Sequence, residues 1–156
     1  MKPIPVSQSH VIMTELVLPQ HTNALDSIFG GVIVSWVDIA AAIAAQRHSG
    51  MPVVTASIDA LDFVAPVYKG WIVNLKASVN YTGRTSMEVG VRVDAENPIT
   101  KMMFHTASAY LTFVALDKNG KATPIPPVLA VSESEIRRYK AAEKRRKLRL
   151  ELRANP

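Results

Sequence analysis

The sequence contains no cysteine. That excludes a disulfide framework and any thiolate-bound metal, and it fits a reducing compartment. The first twenty residues lack a basic start followed by an apolar core, so no secretory signal is expected. There is no G-x-x-x-x-G-K segment and no G-x-S-x-G elbow, which removes support from nucleotide hydrolysis and from serine-hydrolase chemistry. His10, His21, His48 and His105 include no pair at the helical spacing of a metal site. Structural or solvated roles are expected for most of them. His48 suits a helix C-terminus, and His21 lies near Asn23. Internal repeats and low-complexity segments are absent as well.

Most of the chain carries no net charge. Residues 1–131 carry nine basic and nine acidic side chains, whereas residues 132–156 carry nine basic and four acidic ones. The net charge of +5 therefore belongs to the C-terminal tail and says little about the chemistry of the rest. A nucleic-acid partner is not expected, because the tail offers only Tyr139 as an aromatic and no recognition motif.

What is present is an ordinary globular composition, 48% apolar and 20% charged over 156 residues, enough for one domain with a real core. HVIMTELVL (10–18) reads as a strand. The run IFGGVIVSWVDIAAAIAA (28–45) reads as a helix because AAAIAA is strong helix material, with Arg47 and His48 in the last turn and Gly50 just beyond. Four strand candidates follow at 53–63, 71–82, 86–96 and 101–116. In the third, Met87, Val89, Val91 and Val93 alternate against Glu88, Arg92 and Asp94. In the second, Trp71, Val73, Leu75, Ala77, Val79 and Tyr81 share a face opposite Ile72, Asn74, Lys76, Ser78 and Asn80. Thr82-Gly83, Asn97-Pro98 and the segment 117–120 carry turn chemistry. Consecutive strands without intervening helices argue for an antiparallel sheet, and a helix apolar nearly all round wants cover on every side. The expected fold class is α+β, with about five antiparallel strands around one long buried helix in residues 1–128. Residues 129–156 form a basic helical tail, opened by the capping-box pattern of Ser132 and Glu135 after a Pro-rich linker. The tail either dangles or packs through Ile136, Tyr139 and Leu148.

One carboxylate, Asp38, interrupts the apolar helix. The run is close to the minimum length of a membrane span, but a central Asp costs about 2.5–3.5 kcal/mol on insertion scales. No membrane association is expected. A carboxylate in apolar surroundings suits a general base or a nucleophile. Gly30 and Gly31 open the same helix, and the unpaired N–H groups there can hold a developing oxyanion. Gly31 and Asp38 are seven residues apart, about 10 Å along the axis. One reacting carbonyl cannot touch both within a single chain. If both serve one site, two antiparallel copies of the helix must supply them, which makes two equivalent sites in a symmetric dimer.

These residues resemble a known family. HTNALDSIFGGVIVSWVDIAAAIAAQRH, VVTASIDALDFVAPVYKG, YTGRTSMEVGVRV and HTASAYLTFVALDKNGK are similar, in order and spacing, to the hotdog-fold acyl-CoA thioesterases of the cytosolic acyl-CoA hydrolase branch. The resemblance implies a hotdog fold, a homodimer with shared active sites assembled as a trimer of dimers (a hexamer), and a cytoplasmic location. It implies hydrolysis of an acyl-CoA to the free acid and coenzyme A, with Asp38 as base or nucleophile. Asn23 is implied as its partner from the opposite subunit, and the Gly31 N–H, with Gly30, as the group that polarises the carbonyl. Gly83, Arg84, Thr85 and Ser86 are expected against the coenzyme A portion, since Arg binds phosphate through charge-assisted hydrogen bonds. The thioester sulfur is a good leaving group, so neither a metal nor a cofactor beyond the substrate's own coenzyme A is expected. A non-catalytic acyl-CoA-binding regulator of the same fold is the alternative. Asp59 is expected to be solvated or to touch the ligand.

Overall fold

The alanine-rich run becomes one continuous helix that begins at the glycine pair. α1 spans Gly30–Ser49 and stops at Gly50, whose positive φ of 67° lets its N–H close back on the Gln46 carbonyl at 2.8 Å. The computed structural model describes residues 1–155. Along the chain come β1 (Ile4–Pro5), β2 (Val11–Leu16), α1, β3 (Val53–Ile58), β4 (Ile72–Thr82), β5 (Ser86–Glu96), β6 (Met103–Ala115), β7 (Val128–Leu129) and α2 (Glu133–Ala154). Five strands form one antiparallel sheet in the order β2-β4-β5-β6-β3. β1 and β7 pair in parallel as a separate two-stranded piece.

The core lies between α1 and one face of the sheet. Val73, Leu75 and Val79 of β4, Met87, Val89 and Val93 of β5, and Leu111 and Phe113 of β6 are buried there. They meet Ile33, Trp36, Val37, Ala40, Ala41, Ala44 and Ala45, a stripe at helical spacing. The alanines let the helix axis come close to the sheet. His48 ends the stripe, buried, with Nε2 2.7 Å from the Pro126 carbonyl. Burial lowers its pKa below the usual histidine value despite the raising effect of that carbonyl bond. Neutral imidazole with the proton on Nε2 donates to Pro126 and ties the segment before β7 to the helix end.

Four details differ from the sequence reading. First, α1 is not covered on every side: Gly31, Ser35 and Gln46 are exposed, Ile39 is 51% exposed, and Asp38 is half-buried on the same face. The chain's own sheet covers only the stripe that faces it. Second, the alternation in β4 fails at Asn80, where a bulge puts both Asn80 and Tyr81 opposite Glu88. Asn80 is buried on the outer face, and a Cβ at Gly90 would lie 2.6 Å from its Nδ2, so only glycine leaves it room. Third, the Pro-rich segment is part of the fold. Ile125 and Val128 are buried, and the division drawn at residue 128 falls inside β7. Fourth, α2 takes the packed alternative, but not through every residue expected. Its capping box forms as expected, with Ser132 Oγ accepting from Glu135 N–H. Tyr139 packs on Tyr81 with ring centroids 4.9 Å apart, and Ala142 is fully buried. Leu148 is left exposed.

Candidate active site

Asp38 sits on the uncovered face of α1, two turns beyond its N-terminus. Thr55 of the edge strand β3 donates its hydroxyl to Asp38 Oδ1 at 2.7 Å. Among the described residues no other hydrogen bond to this carboxylate is present, so Oδ2 stays available. β3 pairs on one side with β6 and leaves its other edge open. Thr55, Val54 and Ile58 therefore lie at an unpaired margin, with Val54 and Ile58 substantially exposed. The carboxylate, its hydroxyl partner and an apolar strand edge all open to the same side.

The N-terminus of α1 is built by the loop before it. Asn23 Oδ1 accepts from Leu25 N–H (2.9 Å), Ser27 N–H (3.3 Å) and Ser27 Oγ (3.1 Å), and Asn23 Nδ2 lies 2.9 Å from the same Oγ. Asp26 closes this turn in the left-handed conformation (φ 59°), and Asn23 N–H and Phe29 N–H pair with the Ser27 and His21 carbonyls. Phe29 occupies the N-cap position and provides no capping side chain. The first amides of the helix are thus unclosed donors. The two glycines differ. The Phe63 ring lies against Gly30, where a Cβ would be 3.0 Å from Cε2, whereas nothing lies within 4 Å of a Cβ at Gly31. Gly31 is the open position.

Within one chain these groups are not brought together. Among the described residues no hydrogen bond joins Asn23 to Asp38, and the helix separates Gly31 from Asp38 by two turns. Neither of two cavities in the single chain is lined by Asp38. One, about 490 Å³, runs along the outward side of α2 near Ile136 and Lys140. The other, about 110 Å³, lies between the C-terminal half of α2 and the sheet. Gly83–Ser86 make the β4–β5 hairpin turn, closed by Gly83 N–H to Ser86 O at 2.8 Å. Arg84 is exposed there, and the Thr85 and Arg84 carbonyls accept from Ala115 and Ile125.

Other polar residues resolve clearly. His21 meets Trp36 edge-on at 5.1 Å and accepts from Leu18 N–H, an anchoring role. Asp59 is ion-paired with Arg149 at 2.8 Å, which corrects the expectation of a solvated side chain. Asp94, His105 and Ser108 line up on the outer face of the sheet, with His105 Nδ1 3.2 Å from Asp94 Oδ1 and Ser108 Oγ 3.2 Å from Nε2. All three lie within β5 or β6 and not at a strand-to-helix turn. Thr55 is the residue the sequence reading missed. It lies on an edge strand seventeen positions from Asp38, and only its placement beside the helix reveals it.

Residues 25–102 match the thioesterase superfamily. The chain is 41% identical over 138 residues to the uncharacterized acyl-CoA thioester hydrolase YkhA of Bacillus subtilis, covering 88% of this chain and 80% of that protein. An apo-hexameric acyl-CoA thioesterase superposes with a TM-score of 0.96 at 42% identity over the full length of both chains. The acyl-CoA hydrolase of Staphylococcus aureus, solved with butyryl coenzyme A, coenzyme A and coenzyme A disulfide, superposes with a TM-score of 0.91 at 37% identity, covering 97% of this chain and 92% of that one. Alanine variants of the S. aureus protein at one Asp, one Thr and one Asn have also been solved, the last with coenzyme A.

Proposed function

The chain belongs to the thioesterase superfamily, among the acyl-CoA thioester hydrolases, and we propose that Asp38 of one protomer and the open N-terminus of α1 of a second act on one thioester between them. The carrying observation is the Asp38–Thr55 pair on the one face of α1 that the chain's own sheet leaves bare. In the S. aureus variants the Asn-to-Asp and Asp-to-Thr intervals are fifteen and seventeen positions, the same as from Asn23 to Asp38 and from Asp38 to Thr55. That agreement supports the assignment of all three residues to one site.

In the proposed assembly β3 and the bare face of α1 meet their symmetry mates, and pairs of this kind build a hexamer like that of the superposed relative. Asn23, fixed by its own turn, reaches the partner's thioester or water through its amide. Thr55 holds Oδ1 and leaves Oδ2 to act. As base, Asp38 takes a proton from water, whose oxygen attacks the carbonyl carbon. The oxyanion develops against the Gly31 N–H. The C–S bond then breaks, and the coenzyme A thiolate recovers the proton from Asp38. As nucleophile, Asp38 makes the same first attack itself; the C–S bond breaks, the coenzyme A thiolate leaves, and an anhydride forms that water opens, its proton passing to the thiolate. Gly83–Ser86 are proposed to meet the coenzyme A portion, with exposed Arg84 toward phosphate.

The test is release of free thiol from short, medium and long acyl-CoAs by the wild type and by Thr55→Val. Thr55→Val keeps the shape of the side chain and removes the donor to a charged acceptor, so kcat is expected to fall about 10–100-fold with the preferred acyl length unchanged. Unaltered kcat would remove Thr55 from the site.

A further inference from the structure

α2 carries four arginines over its last three turns, Arg145, Arg146, Arg149 and Arg153, but the carboxylates beneath it engage only two of them. Glu88 takes Arg145 at 2.8 Å and Arg149 at 3.2 Å, and Asp59 takes Arg149. Arg146 has the neutral Tyr81 hydroxyl at 3.2 Å and lies on Gly83, where a Cβ would be 2.9 Å from its Nη1. Among the described residues Arg153 makes no ion pair. Arg146 and Arg153 nonetheless line the same cavity of about 110 Å³, together with Arg149, Ser86, Thr112 and Ala56. The Thr112 hydroxyl oxygen is buried and has no hydrogen-bond partner. Glu88 also borders the cavity, but Arg145, Arg149 and Asn80 already hold its carboxylate. The local balance is therefore two uncompensated guanidinium groups and a buried hydroxyl that lacks an acceptor.

We propose that this cavity binds a phosphate monoester, held by Arg146 and Arg153 with the Ser86 and Thr112 hydroxyls. A phosphate carries about −1.5 to −2 charge near neutral pH and offers three acceptor oxygens. Two forked guanidinium groups match that charge and that geometry. An acceptor oxygen also satisfies the Thr112 hydroxyl. The phosphate comes either from the coenzyme A portion of the substrate, an arm that rests on the acyl-CoA reading above, or from a separate mononucleotide. Ala56 borders the cavity one residue from Thr55, so the occupant sits against the strand that orients Asp38.

Calorimetric titration of the assembled full chain with coenzyme A, dephospho-coenzyme A and 3′-AMP tests this, using the wild type, Arg146→Gln/Arg153→Gln and Arg153→Gln alone. The wild type is expected to bind coenzyme A about tenfold or more tighter than dephospho-coenzyme A, with the preference lost in the double variant and the thermal midpoint kept. A wild type that ignores the 3′-phosphate on coenzyme A but binds 3′-AMP, with that binding lost in the variants, supports the site and assigns a separate nucleotide. Equal binding of each probe by the wild type and both variants overturns the proposal. Arg153 is exposed and unpaired, so its single variant decides the matter if the double variant fails to fold. Acyl-CoA turnover by the wild type is recorded in parallel. No turnover alongside intact phosphate discrimination would count against the catalytic reading and leave this site standing.

Discussion

Asp38→Asn is expected to lower kcat on acyl-CoA by about 10²–10⁴-fold with KM little changed, the range that removal of a positioned proton-transfer group produces. The substitution keeps size and polarity. The Asn carbonyl oxygen can still accept from Thr55 Oγ1, so the 2.7 Å contact and the helix survive. What disappears is the ability to take a proton from water or to attack a carbonyl. Binding of coenzyme A should persist, because the carboxylate lies on a different element from the β4–β5 turn proposed to meet the coenzyme A portion. Steady-state kinetics with thiol detection, alongside direct binding of coenzyme A, separates the two quantities. A parallel rise in KM with kcat preserved would make Asp38 a binding group and leave the reaction without its base.

Arg145→Ala is expected to destabilise the fold by at most about 3–5 kcal/mol, the cost of breaking a buried ion pair, with Arg149 and Asn80 left to hold part of the charge. Glu88 is 2% exposed and points to the outer face of the sheet, beneath α2. Its carboxylate accepts from Arg145 Nε and Nη2 at 2.8 and 2.9 Å, from Asn80 Nδ2 at 3.0 Å and from Arg149. Arg145 in turn stacks over the Tyr110 ring, 3.7 Å from its centroid. Burial pushes the Glu88 pKa upward, but the bonds from Arg145, Asn80 and Arg149 together pull it below the ordinary 4.5. A carboxylate with a depressed pKa stabilises the fold fully above its unfolded value and loses that contribution as pH falls through its folded one. The stability gap between the wild type and Glu88→Gln should therefore be constant above pH 4.5 and close below it. Urea unfolding at fixed protein concentration measures both effects, since assembly makes stability concentration-dependent. A gap that is constant down to strongly acid pH would mean that Glu88 is not ionised under α2.

The long elements were legible because their residues agree at every level. Ala40–Ala42 and Gly50 give α1 its identity and its end, and the strict alternation of Met87, Val89, Val91 and Val93 gives β5 its buried face. The errors came where one residue depends on another far away. Nothing local marks the bulge at Asn80, because its purpose is to bring an amide to Glu88 eight residues on. β7 has two residues, and its partner β1 lies more than 120 positions earlier. The tail read as a basic helix that either dangles or packs, because basic side chains alone do not tell the two apart. The spacing of Tyr139, Ala142, Arg145 and Arg149 is a helical stripe, but it points to docking only once Glu88 and Asp59 are seen beneath it. In the candidate site, Asp38 and Gly31 stand out from composition alone, whereas the Thr55 hydroxyl needed the third dimension.

The most direct test of a site shared between protomers is to mix inactive Asn23→Ala and Asp38→Ala subunits after dissociation and reassembly. If the two residues come from opposite chains, each mixed dimer regains one of its two sites, and an equal mixture should recover about a quarter of wild-type turnover. If both residues serve the same chain's site, every site in every dimer keeps one lesion, and turnover should stay at the level of the separate variants.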